Sequence, residues 1–174
     1  MELINKLERT VLGWAKSVPH LPVNAQKWLA VNVWWIILVS AILSGLSLVS
    51  GIGGLLKNIA LLSSPSNLYY VTGNYTEYEI IQQSVGLFFA ILIFVALALA
   101  VNPLKIQQKK GWVLLFLVLL LDMIAIVVNA VLTLSLLAFI ISIIFGGIYL
   151  AILAYFLFEI HGQFARPVKR HKKA

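Results

Sequence analysis

Apolar residues in this chain do not alternate with polar ones. They run in four long blocks, at about 28–50, 80–101, 112–132 and 136–160, and the polar positions gather between them. Each block is about 20 residues or longer, enough for a helix rising ~1.5 Å per residue to cross ~30 Å of hydrocarbon. Residues 2–18 follow a different pattern. Leu3, Leu7, Val11, Trp14 and Val18 recur at helical spacing with Ile4, Leu12 and Ala15 beside them, while Glu2, Lys6, Glu8, Arg9 and Lys16 lie towards the other side. Charge throughout this stretch argues against a signal peptide. It predicts an amphipathic helix lying in the membrane interface, with Trp14 at headgroup level. A helix packed across the ends of its own bundle would show the same pattern.

Punctuation between the blocks sets the expected boundaries. Pro19-His20-Leu21-Pro22 ends the amphipathic segment, and Asn24 is the expected N-cap of the first span. Trp28, Trp34 and Trp35 form an aromatic belt at its start. Gly51-Ile52-Gly53-Gly54 fits neither GxGxxG nor a P-loop, and it predicts a flexible break before a short surface helix over 55–62. Residues 63–67 read as a loop, followed by Tyr69, Tyr70, Tyr75 and Tyr78 and a glycosylation-type triplet, Asn74-Tyr75-Thr76. Asn102-Pro103 closes the second span, and a turn within 129–135 folds the third and fourth into an antiparallel hairpin. The expected fold is an all-α membrane protein. A four-transmembrane-helix bundle over 23–163 follows an interfacial helix and linker over 1–22 and precedes a basic tail over 164–174.

Composition strengthens this reading. Hydrophobic residues make up 61% of the 174 and charged residues 11%, with mean hydropathy +0.99, where soluble domains carry about 25% charged residues. Cysteine is absent, which removes thiol catalysis, disulfides, thiolate zinc and iron–sulfur sites. Twelve of the thirteen cations fall in the N-terminal segment, the 105–110 connection and the tail, and Lys57 is the exception. By the positive-inside rule both termini are cytoplasmic, in an inner or plasma membrane. The net charge of +7 is then topogenic, and no specific nucleic acid is expected.

The linker Pro19-His20-Leu21-Pro22-Val23-Asn24 and the segment Lys110-Gly111-Trp112-Val113-Leu114-Leu115-Phe116 resemble small four-span bacterial inner-membrane proteins that also begin with an amphipathic helix. That resemblance covers the whole chain in outline. It implies an inner-membrane bundle and brings no activity or site with it.

One residue asks for chemistry. Asp122 interrupts the third block about 15 Å from Trp112, and a carboxylate in hydrocarbon costs several kcal/mol unless it is protonated, paired or wetted. Asn129 and Thr133 share its helical face, and Ser47 of the first span lies on the same outer side. These four residues suggest a wet vestibule opening outwards and ending at Asp122, suited to a proton, a cation or a small polar headgroup. The plain alternative is a neutral Asp122 hydrogen-bonded to Asn129 or a serine. Small residues form stripes for close helix approach: Ser40, Ser44, Ser47, Gly51 and Gly54 in the first span, and Ala138, Ser142 and Gly146 in the fourth, with Gly147, Ala151 and Ala154 alongside. His20, His161 and His171 are not at ligand spacing on one helix, Glu77 and Glu79 are a poor acid pair, and no nucleophile–base set shares a depth. The expectation is a non-enzymatic scaffold or partner-binding, membrane-organising component with no cofactor and no metal. Its partners would be the bilayer and another membrane protein or a second copy. The alternative is a small transporter or channel subunit that uses Asp122 for proton or cation exchange.

Overall fold

The computed structural model describes residues 19–62 and 75–164, with side chains from 19–60 and 78–164. The expected amphipathic helix, the 63–67 loop, the Asn74 triplet and the basic tail lie outside the described residues. Within them the order is α1 (Val23–Leu62), α2 (Tyr75–Lys105), α3 (Lys109–Leu132), α4 (Leu136–Glu159) and a single turn, α5 (His161–Phe164). Four of these helices are long and apolar enough to cross a membrane. The protein is an all-α, multi-pass membrane protein built as a four-helix bundle.

Three boundaries differ from the sequence reading, each for a physical reason. Pro22, and not Asn24, starts α1: its carbonyl accepts from Ala25 N at 2.8 Å and Gln26 N at 3.1 Å. The Gly51–Gly54 stretch does not break the helix, which continues for 40 residues. Gly51 and Gly54 serve contact instead, since a Cβ there would stand 2.8 Å from Leu87 and 2.8 Å from Gln83 of α2. At about 1.5 Å per residue α1 is roughly 60 Å long, twice the hydrocarbon thickness. Pro103 does not close α2, which runs on to Lys105. The closure comes two residues later, where Gln107 adopts φ 53°. Gln108 N donates to Pro103 O and Gln107 N to Leu104 O, which is a Schellman ending with glutamine where glycine is usual.

α1 packs on α2, α2 on α3, and α3 on α4, but α1 and α4 meet only marginally. The bundle is therefore open along one seam. Its tightest packing lies at the end that holds residue 19, the α2–α3 turn and α5, hereafter the terminal end. Leu104, Trp112, Ile160 and Phe164 are at most 2% exposed there. Trp112 stacks on Phe116 at 5.5 Å, takes Phe158 and His161 edge-on, and donates Nε1–H to Leu157 O at 2.8 Å.

Glycines of the bundle are not equivalent, and this can be tested on α3 and α4. A Cβ on Gly111 would lie 2.8 Å from the Leu104 backbone nitrogen, which cannot step aside, while Gly147 has nothing within 4 Å. Gly111→Ala is expected to destabilise by about 1–3 kcal/mol, as overpacked sites do. Gly147→Ala is expected to be neutral or stabilising by up to ~1 kcal/mol through helix propensity. Unfolding titrations of both variants in mixed micelles check the contrast.

Candidate membrane-embedded site

Asp122 sits past the middle of α3, roughly 20 Å of helix from Lys109 and 15 Å from Leu132 at ~1.5 Å per residue. The open seam is what gives it surroundings. A cavity of about 520 Å³ fills the gap between α1 and α4, with α2 and α3 as its back wall. Its polar lining is Ser40 and Ser44 from α1, Asp122 from α3 and Tyr149 from α4. All four lie towards mid-membrane. The remaining walls, from Leu29, Val33 and Ile37 to Leu153, Phe156 and Ile160, are apolar and run to the terminal end.

Asp122 is partly exposed within this slot, and no hydrogen bond to its carboxyl is found among the described residues. The Ser40 hydroxyl donates to Ile36 O at 2.9 Å, one helical turn back, which leaves its oxygen free to accept. Ile36, Phe156 and Tyr149 are 48%, 43% and 50% exposed, so the slot faces the lipid sideways.

Two of the other sequence-predicted residues belong to a second cavity, also of about 520 Å³, towards the far end of the bundle. Ser47 and Asn129 line it together with Asn58, Glu79, Gln82 and Gln83. Gln83 ties its wall together: it accepts from Asn58 Nδ2 at 2.9 Å and donates to Gly51 O at 3.1 Å. Asp122 lines the slot and not this cavity. Asn129 turns its amide to Ala125 O at 2.8 Å. Thr133 lines neither cavity. It caps α3, and its hydroxyl donates to Ala130 O. The four residues grouped along the sequence thus divide among three places: Asp122 in the slot, Ser47 and Asn129 in the far-end cavity, and Thr133 at a helix end.

The packing stripes divide in the same way. Gly51 and Gly54 meet α2, Gly146 would place a Cβ 2.6 Å from Ile126 of α3, and Ser40 and Ser44 line the slot. Ser142 is half-buried, and no close contact of it is described.

A second polar centre went unnoticed in the sequence. The side chain of Glu159, 4% exposed, accepts from His20 Nδ1 at 2.7 Å, Leu21 N at 2.9 Å and Gln26 Nε2 at 2.8 Å. Tyr155 adds a bond from its hydroxyl to Pro19 O at 3.0 Å. This clasp fastens the proline linker across the terminal end of α4. A detectable signal existed: an acid in the last turn of an apolar helix opposes the helix dipole and needs donors to remain there. Tyr149 was also within reach, because folding the hairpin about Leu134 brings it to within about one turn of the position opposite Asp122.

Among the described residues no group of three or more His, Asp or Glu side chains could hold a metal ion. No protein-family model matches the chain, and neither the curated proteins nor the solved structures compared with it include a significant match.

Proposed function

We propose that the protein works by binding within the membrane and not by catalysis, as a small carrier or channel subunit whose working group is Asp122. One observation carries this reading: a mid-membrane carboxyl with no hydrogen bond among the described residues faces a 520 Å³ slot. A purely structural acid is usually sealed against a donor, because an unsatisfied polar group in hydrocarbon is costly. Intramembrane acids left facing a cavity mark ion or proton pathways more often than packing. Polar residues Ser47, Gln82, Gln83 and Asn129 of the separate far-end cavity support a polar exterior face, opposite the end where the basic clusters lie.

Asp122→Asn keeps the side chain's size and hydrogen-bonding ability and removes only the charge. In proteoliposomes, cation or proton flux is expected to fall at least tenfold in this variant, with the fold retained. Equal flux in both proteins, or none in either, would remove Asp122 from the mechanism.

A second reading, a scaffold that binds another membrane protein, has its own observation in favour. The most apolar stretch of α4 contains no buried residue, and Gly147 and Ala151 leave an exposed, flat strip on it. Crosslinking from Gly147→Cys, in a chain that has no other cysteine, would report a second copy as a dimer. A monomeric product under conditions that preserve the fold would count against self-association.

A further inference from the structure

We propose that the α1–α4 slot is a binding site for a hydrophobic organic ammonium, an apolar body ending in a cationic nitrogen held by Asp122. The proposal rests on the reading of Asp122 as a cation site and names its ligand class.

The chemistry follows from what lines the slot. Among the described residues the sole charge in the lining is negative, and Ser40, Ser44 and Tyr149 supply oxygens near it. An anion would be repelled, and an uncharged hydrocarbon would leave the carboxyl unpaired in an apolar wall. An inorganic cation fits poorly. Calcium takes 6–8 oxygen ligands and magnesium demands an octahedron, whereas the slot offers one carboxylate and three hydroxyls. An ammonium needs only a carboxylate and one or two acceptors, and its hydrocarbon part suits the leucine, isoleucine and phenylalanine walls.

Polarity excludes the bilayer's own phospholipids. A phospholipid places its headgroup at the membrane face and its chain ends at mid-membrane. Here the polar cluster is at mid-membrane, and the apolar walls run from it to Leu29 and Ile160 at the terminal end. Length also suits such an occupant: from Leu29 to Ser44 α1 advances roughly 22 Å at ~1.5 Å per residue, room for an extended alkyl or small-ring amine along the slot. A volume of this size also falls within the range of ordinary ligand pockets, ~300–1,000 Å³.

The test uses the full chain in phosphatidylcholine nanodiscs with three nitroxide-labelled probes of one chain length: decylammonium, decanol and decanoate. Electron paramagnetic resonance reads the motionally restricted fraction. Only the ammonium probe is expected to show a saturable restricted population. Asp122→Asn should weaken it at least tenfold, and Leu153→Trp should remove it by filling the slot. Equal restriction of decanol, or undiminished ammonium binding in Asp122→Asn, overturns the proposal. No restricted signal from any probe also overturns it, and the flux comparison then decides separately whether Asp122 still exchanges a smaller cation or a proton. Should Asp122→Asn fail to fold, Leu153→Trp and the probe series decide alone.

Discussion

Trp112→Ala is expected to destabilise the bundle by about 3–5 kcal/mol, the range for removing a large buried aromatic. Between helices in lipid there is little hydrophobic driving force, so stability rests on contact and on satisfied polar groups. Trp112 supplies both. It is fully buried, its ring touches Phe116, Phe158 and His161, and its indole N–H donates to the Leu157 carbonyl near the end of α4. It therefore joins α3, α4 and α5 at one point. The alanine variant loses the ring contacts and the bond together, whereas Trp112→Phe keeps most of the volume and loses the bond. The phenylalanine variant is expected to cost about 1–2 kcal/mol, the worth of one hydrogen bond plus a small misfit. Because tryptophan fluorescence would be altered by the substitution itself, the reporter is thiol accessibility at an introduced Ala96→Cys during a denaturing-detergent titration. Equal midpoints for wild type and Trp112→Ala would mean that the terminal-end cluster does not hold the bundle.

The same cluster shows how much of the molecule could be read in advance. Four membrane helices follow from block length alone, and block length is a property of the bilayer more than of packing. The hairpin of α3 and α4 follows from the shortness of its turn, which is only Thr133-Leu134-Ser135 between the helices. What failed was local punctuation. Gly51–Gly54 and Pro103 read as breaks by local rules, yet both helices run on through them, and the glycines are used to bring α1 against Leu87 and Gln83. The candidate site was legible as one residue at a depth and not as a set of neighbours. Depth along the chain picked out Asp122 and placed Ser47 and Asn129 towards the far end. Rotation about the helix axes, which depends on which helices touch, decided that Asp122 turns to the α1–α4 seam and that Asn129 lines the other cavity. Sequence spacing defines a face on one helix; it does not say which neighbour that face meets.

Glu159→Ala is expected to release the proline linker at a local cost of about 2–4 kcal/mol while leaving the membrane helices paired. A hydrogen bond to a charged group contributes about 1.5–3 kcal/mol, and this carboxylate receives three. They would not be lost equally. His20 is 54% exposed and can turn to water, and Gln26 keeps a second bond to Leu21 O at 3.0 Å. The Leu21 amide has no such alternative described, and it bears most of the loss. Glu159→Gln retains one acceptor oxygen and should fall between wild type and alanine. The readout that separates this from global unfolding is hydrogen exchange resolved along the chain. The Leu21 amide should exchange much faster in Glu159→Ala, by roughly 10²-fold for each 2.7 kcal/mol of local opening, while amides around Trp112 keep their protection. The consequence reaches the slot, because Leu29 on α1 and Ile160 just past the end of α4, which line its terminal end, flank the clasp. Ammonium binding measured in the same variant should therefore weaken without any change at Asp122. If Leu21 remains as protected in the variant as in wild type, the anchor is Tyr155 on Pro19 instead, and Tyr155→Phe becomes the substitution that frees the linker.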